Sequence, residues 1–233
     1  MGTGNYYRIS ALPALGDLGA PPPMRPADLR EHVRGAARPL ALVDAILLGD
    51  DLLQREALLA GEIQEVSPAV LSPAQVRSAE PLPAFLATEE TARIPCDTVW
   101  AAYFRHAAAV AARCASVFLA NWTAHEVALR NALAAARAAA LGLDPQDYLV
   151  TPEKEKGPGP LTALGVLDPF LFDFSDLIGE WASAPDPLAG LKVLDRARWA
   201  WLLEHDAWFS FGDEELAAYA AKLMLLVRWH RIT

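Results

Sequence analysis

Residues 95–141 read PCDTVWAAYFRHAAAVAARCASVFLANWTAHEVALRNALAAARAAAL, and this stretch decides the fold. Alanine, which has the highest intrinsic helix propensity, fills many of its positions. The helical pattern predicts one continuous helix from about residue 96 to residue 141, roughly 65–70 Å long at about 1.5 Å per residue. Because helices in globular proteins average about 10–14 residues, a helix of this length indicates a lever or spine.

One stripe of this predicted helix carries an aromatic, a carboxylate and a guanidinium group. Trp122, Glu126 and Arg130 follow one another at intervals of four residues, which places them on the same helix face. Arginine also stands beside tryptophan near the end of the chain, as Arg198 next to Trp199 and as Arg228 next to Trp229.

Buried charges cost several kcal/mol unless they are paired, so we expect these arginines to find carboxylates. The hypothesis is a network between helices in which the acidic members are Glu126 together with Asp195 or Glu204. Its basic members are Arg130, Arg198 and Arg228. Fixing the register of packed helices is the favoured role of this network, ahead of catalysis.

The whole chain is predicted to be a single all-α domain, residues 1–233, built as a multi-helix bundle. Three helices, at about 169–184, 187–208 and 213–231, are expected to close the chain and to pack on the long helix. The proline-containing residues 1–26 predict an extended N-terminal arm, and the Gly/Pro-rich stretch at about 150–165 predicts a mobile loop. Alternation of β-branched residues is missing, so no strand is expected.

Shorter signals lie before the long helix. Asp28 can begin a helix that runs to about Ala37, and Gly49 is expected to divide the apolar run that follows. Ser72 and Pro73 have the residue types of a cap and first turn, and they predict a brief helix.

Charge and cysteine usage limit the classes of partner. The formal net charge is −9, and there is no basic run, so a nucleic-acid partner is not expected. Cys96 and Cys114 would lie about 27 Å apart along one helix, too far for a disulfide. Together with the lack of a signal segment, this predicts a cytoplasmic protein. No apolar stretch is long enough to span a bilayer.

The usual motifs of catalysis and cofactor binding are missing. The sequence contains no HExxH, CxxC or GxSxG motif and no P-loop, so we expect no catalytic residue, no metal and no cofactor. One alternative stays open, a small all-α enzyme that uses His125 or His106 as a base near Glu126.

Three blocks of sequence carry a resemblance to a known family. They are NYYRISALPAL at residues 5–15, FLANWTAHEVALRNALAAARAAALGLDPQDYL at 118–149, and DRARWAWLLEHDAWFSFGDEELAAYAAKLMLLVRWHRI at 195–232. In order and spacing these blocks resemble an uncharacterised bacterial family whose genes lie within V-type ATP synthase operons. The segment Glu126 to Arg137, which includes Asn131, also resembles a helix repeated in the C-type subunit of that rotary ATPase, which is related to the d-type subunit of eukaryotes. Ala128 stands where the repeat has aspartate.

The resemblance implies a non-catalytic subunit or accessory factor of a bacterial V-type ATP synthase, linking the soluble rotor to the membrane ring. Its partners would be the other proteins of the complex, in particular the rotor shaft and the membrane ring. The chain would then lie at the inner face of the cell membrane only through those partners. The alternative implied by the small-residue helix faces is a transient assembly or regulatory module that binds helices.

Overall fold

The computed structural model describes residues 3–87, 94–150, 172–206 and 210–232, and these residues are helical or irregular with no strand among them. The all-α prediction is therefore confirmed. The helices are α1 (Thr3–Ser10), α2 (Pro26–Val33), α3 (Ala37–Leu59), α4 (Pro73–Val76), α5 (Pro95–Cys114), α6 (Val117–Ala140), α7 (Ser175–Ala182), α8 (Pro187–Glu204) and α9 (Asp213–Arg231). A 3₁₀ turn follows α6 at Pro145–Tyr148.

Two compact units make up the structure, whereas the sequence predicts one domain. The first unit comprises Met1–Pro81 and Ala184–Thr233, and the second comprises Leu82–Ser183. Each unit has buried apolar side chains of its own.

The first unit is centred on α9, which packs against α3, α8 and α2. Most of α9 is buried, and its alanines allow neighbouring helices to approach closely. Helix α3 runs unbroken through the buried Gly49, so the division predicted at this residue is wrong. A glycine inside a helix costs only about 1 kcal/mol relative to alanine, and packing of the surrounding apolar residues outweighs that cost.

The second unit is built on α5 and α6, which pack against each other and are joined by only Ala115 and Ser116. Asp97, early in α5, bonds to Arg130, well into α6. A contact between residues on opposite sides of the connection shows that the two helices lie side by side as a helical hairpin. The single helix predicted over residues 96–141 is therefore wrong.

The break has a local cause that the alanine-rich pattern hides. Ala115 adopts the left-handed conformation, with φ of 45°, and its N–H bonds to the carbonyls of Ala111 and Ala112. Ser116 then caps α6, because its hydroxyl accepts a hydrogen bond from the N–H of Leu119 at 3.1 Å. Glycine usually occupies such a left-handed position, so alanine there gives no warning in the sequence.

Other predicted segments also differ from expectation in part. The arm predicted to be extended over residues 1–26 contains helix α1, while residues 11–25 have neither helix nor strand. The mobile loop predicted at about 150–165 falls almost wholly outside the described residues. Ser72 caps α4 as predicted, through the N–H of Gln75, and the helix predicted at 187–208 begins at Pro187, where Asp186 caps it through the N–H of Ala189. The helix predicted to begin at Asp28 and to run to about Ala37 is instead α2, which begins at Pro26, ends at Val33 and has Asp28 in its first turn.

Candidate functional site

A buried aspartate joins two helices of the first unit. Asp195 on α8 has no exposed surface, and Arg228 on α9 binds both of its carboxylate oxygens through one edge of the guanidinium group. The Nε atom of Arg228 donates to Oδ2 at 2.9 Å, and its Nη2 atom donates to Oδ1. Arg198, one turn further along α8, donates to Oδ1 at 3.3 Å. We call these three residues the Asp195 cluster.

The Asp195 cluster is suited to holding helices in register. Bidentate guanidinium–carboxylate pairs fix both distance and orientation, and both oxygens of Asp195 are engaged. A charge buried in this way is stable only while its partners remain, and loss of one partner typically costs about 3–5 kcal/mol. Of the two carboxylates that the sequence offers to these arginines, the structure joins Asp195 to them, while Glu204 lies exposed at the end of α8.

The tryptophans beside these arginines have separate surroundings. Two cationic side chains of α8 lie over the ring of Trp229. The Nζ atom of Lys192 is 5.9 Å from the ring centre, and the Cζ atom of Arg196 is 5.6 Å from it. These contacts are a second link between α8 and α9. Trp199 is 8% exposed and forms part of the wall of a cavity in the first unit.

In the second unit, Arg130 connects α6 to α5. Its Nη2 atom donates to Oδ1 of Asp97 at 2.8 Å, and its guanidinium carbon lies 4.6 Å from the centre of the Trp100 ring. Sequence reasoning missed both partners. The available signal was the position of Asp97 in the first turn after Pro95, where a carboxylate favours the helix start. Where the sequence predicted one network that included Glu126, the structure has an arginine–carboxylate pair in each unit, and Asp97, which the prediction did not include, binds Arg130.

The other members of the predicted stripe lie in or beside the apolar core of the second unit. Trp122 is 3% exposed, and Glu126 approaches His125, with Oε1 and Nδ1 3.3 Å apart. Asn131 binds the backbone of Val150 twice, donating from Nδ2 to its carbonyl at 2.9 Å and accepting its N–H at 2.8 Å. This amide pairing fixes the segment after the 3₁₀ turn against α6.

The two histidines of the enzyme alternative have mainly aromatic neighbours. The buried His125 ring lies 6.0 Å from Trp122 and 5.5 Å from Phe174, measured between ring centres. His106 stacks on Phe85 at 4.1 Å, and burial lowers the pKa of this imidazole, with a smaller contribution from Arg113.

A further buried carboxylate, that of Asp51, was not predicted from the sequence. Asp51 on α3 accepts three backbone N–H groups, from Ala69 at 2.8 Å, Val70 at 2.7 Å and Leu71 at 2.8 Å. Burial raises the pKa of Asp51 to about 6, although the three hydrogen bonds act in the opposite direction. These hydrogen bonds hold residues 69–71, which precede α4, against α3.

A cavity of about 280 Å³ opens in the first unit, between the segment that follows α1 and helices α8 and α9. Its wall includes a nearly buried ion pair between Lys222 and Asp206. Tyr219 also lines the cavity and donates its hydroxyl hydrogen to the carbonyl of Pro13 at 2.8 Å, and burial raises the pKa of Tyr219 to about 12. No local pattern predicts this cavity, because distant parts of the sequence form it.

The residues that the structure describes contain neither a metal-binding cluster nor a membrane-spanning helix. Among residues 3–87, 94–150, 172–206 and 210–232, no group of three or more His, Cys, Asp or Glu side chains is placed to hold a metal ion. Over the same ranges, every helix is too short or too polar to cross a membrane.

These features define an all-α protein of two helical units, in which aspartate–arginine pairs connect neighbouring helices. Residues 79–233 match the family described as "Protein of unknown function (DUF2764)", and the chain belongs to that family. The Asp195 cluster and the Asp97–Arg130 pair both lie within the matched residues. No curated protein matches the chain, and no solved structure matches it.

Proposed function

We propose that this chain is a non-catalytic component of a bacterial V-type ATP synthase, acting as an accessory factor or as a link that joins the soluble rotor to the membrane ring. The observation that carries the proposal is the resemblance of the three blocks at residues 5–15, 118–149 and 195–232, in this order, to a family encoded within V-type ATP synthase operons.

The geometry of the charged groups supports a non-catalytic role. Asp195, Arg228 and Arg130, which the sequence analysis assigned to fixing helix register, form ion pairs between neighbouring helices. Trp122 lies within a buried apolar core, a setting that favours a structural role over an active site. Such pairs stiffen a helical unit, and stiffness is useful to a component that holds other proteins in place.

The break at Ala115 and Ser116 changes the mechanical part of the proposal. A helix spanning residues 96–141 was expected to transmit torque as one lever, and two shorter helices folded side by side cannot do so. The proposal therefore assigns the linking role to compact units, each made of several packed helices. The chain's net charge of −9 would steer assembly toward a basic partner face, and this attraction weakens as salt increases.

Purification of the intact complex tests the proposal. A tag on this chain, expressed at its natural level, is used to isolate complexes at low ionic strength, and native mass spectrometry identifies the proteins in them and their ratios. The expected result is the V-type ATP synthase with this chain at a fixed ratio to the rotor shaft. Absence of the ATP synthase from complexes isolated under these gentle conditions would overturn the proposal.

The same measurement separates a permanent component from a transient module. Two shorter helices, α5 and α6, favour the transient assembly or regulatory role more than a single long lever would. A ratio equal to that of the shaft indicates a permanent component, and a much lower ratio that rises in partly assembled complexes indicates an assembly factor. A matched pair of tagged variants, R228M in the Asp195 cluster and R34M at an exposed pair, tests whether the bracing of the first unit is needed for assembly.

A further inference from the structure

We propose that the cavity of the first unit is a binding site for an apolar group that carries one positive charge, such as an alkylammonium ion or an apolar segment bearing one lysine. This inference goes beyond the proposed function and does not rest on it. The cavity volume of about 280 Å³ suits a single side chain or a short alkyl chain.

The walls of the cavity supply the apolar part of the interaction. Ile9 and Leu12 contribute from the N-terminal segment, and Trp199, Leu203 and Leu216 contribute from α8 and α9. Burying apolar surface of a ligand here gains about 25 cal/mol per Å² removed from water. The Trp199 ring adds an aromatic wall, a type of surface that also attracts cations.

The charged groups of the lining favour a cation. Among the described residues that line the cavity, three carry carboxylates, Asp17, Asp206 and Glu215, and one, Lys222, carries an ammonium group. Lys222 is already paired with Asp206, so its charge is compensated within the wall. The net charge of these lining side chains is therefore negative, which favours a cationic ligand.

Two of these carboxylates retain capacity to bind a ligand. Glu215 accepts the N–H of Phe211 at 2.8 Å through Oε2, and a carboxylate has room for several further hydrogen bonds. Asp17 is exposed, and its carboxylate has no hydrogen bond or ion pair with any residue that the structure describes. An ammonium group at the cavity rim would be attracted by both.

Exposed apolar side chains accompany the cavity. Tyr6 is 52% exposed and lies 5.0 Å from the ring of Phe211, the residue whose N–H binds Glu215. Leu203, which lines the cavity, is also 52% exposed. Apolar surface that is left open next to a cavity is typical of a place where a ligand or partner binds.

Calorimetric titration of the full chain with two matched probes tests the proposal. Octylammonium and octanoate have the same alkyl chain length and opposite charges. Octylammonium is expected to bind at a single site, at least about tenfold more tightly than octanoate. Equal affinity for the two probes, tighter binding of octanoate, or no binding of octylammonium would overturn the proposal.

Charge variants locate the binding site. D17N and E215Q should each weaken octylammonium binding by roughly two- to fivefold, as expected for partly exposed charge pairs. L203K adds a positive charge at the cavity and should weaken binding further. L188K is the matched control, because Leu188 is 45% exposed on the same helix and lies outside the cavity lining. Equal binding by L203K and L188K would show that the ligand binds elsewhere, which contradicts the proposal.

A third probe distinguishes the two sources of such a group. It is a short peptide with blocked ends that contains one lysine flanked by leucines. Tighter binding of the peptide than of octylammonium indicates that a partner protein supplies the group, and tighter binding of octylammonium indicates a free small molecule. L203K must weaken whichever probe binds more tightly, and retention of full affinity by this variant counts against the site.

Discussion

Arg228 binds both oxygens of the fully buried Asp195 carboxylate through one edge of its guanidinium group, although the two residues lie 33 positions apart on different helices. Arg198 binds the same carboxylate from one turn along α8. These two residues lie near the start and the end of the sequence block at residues 195–232. Because Asp195 has no access to water, its charge is stable only through these two arginines.

R228M should therefore destabilise the protein strongly. The variant keeps much of the apolar stem of the side chain but leaves Asp195 with Arg198 alone, and we expect a loss of about 3–5 kcal/mol in the free energy of unfolding. Urea denaturation measures this loss. The matched control is R34M, because the Arg34–Glu31 pair is exposed and such pairs contribute about 1 kcal/mol or less. A loss for R228M no larger than that for R34M would show that the pair is not a brace.

The pairing of arginines with carboxylates could be predicted from the sequence only in part. Residue type and apolar context indicated that Arg198 and Arg228 need a buried carboxylate, and Asp195 was one of the candidates. The assignment of Asp97 to Arg130 could not be made, because it depends on the chain reversing between α5 and α6. That reversal follows from one left-handed alanine, and alanine is the residue that most favours an uninterrupted helix.

The starts of α4 and α8 were predictable because their caps depend on neighbouring residues only. The caps at Ser72 and Asp186 are set by bonds between residues three positions apart, so local sequence is sufficient to indicate them. The cavity could not be predicted, since residues 9–17 meet residues 199–222 only after the first unit has folded. Helix α1 was missed because the prolines that follow it dominated the pattern of the N-terminal segment.

The connection between α5 and α6 gives two predictions of opposite sign. A115G should stabilise the protein by up to about 1 kcal/mol, because glycine adopts the left-handed conformation without the steric cost that alanine carries. S116A should destabilise it by about 0.5–2 kcal/mol, since the cap on the N–H of Leu119 is lost. Thermal and urea unfolding measure both effects.

A matched glycine variant inside α5 is the control for the first of these effects. Ala109 is exposed in the middle of the helix, so A109G should cost about 1 kcal/mol through lost helix propensity. If A115G and A109G change stability in the same direction, residue 115 is not left-handed and the helix continues through it.

Asp51 should show a stability effect that depends on pH. D51N removes part of the acceptor capacity for three backbone N–H groups, and we expect a loss of about 1–3 kcal/mol at pH 7. The pKa of Asp51 is raised to about 6 in the folded state, above the value of about 3.9 for an unfolded chain. The linked contribution to stability is therefore fully present below about pH 4 and is lost as pH rises through 6.

The difference in unfolding free energy between the unmodified chain and D51N should thus be larger at pH 4 than at pH 7. D17N is the control, because Asp17 is exposed, and the difference for this variant should stay small at both values. A difference for D51N that grows with rising pH would contradict the raised pKa.

His106 should make the opposite contribution on the acid side. Burial lowers the pKa of the imidazole, so the folded protein binds fewer protons than the unfolded chain, whose histidines titrate near about 6.5. The contribution of His106 is present above about pH 6.5 and is lost as pH falls through the lowered folded value. H106F retains an aromatic ring for stacking on Phe85 and cannot titrate. Its unfolding free energy should fall less than that of the unmodified chain between pH 7 and pH 5. NMR titration of the imidazole provides the direct measurement, and a pKa at or above 6.5 would remove the basis for this expectation.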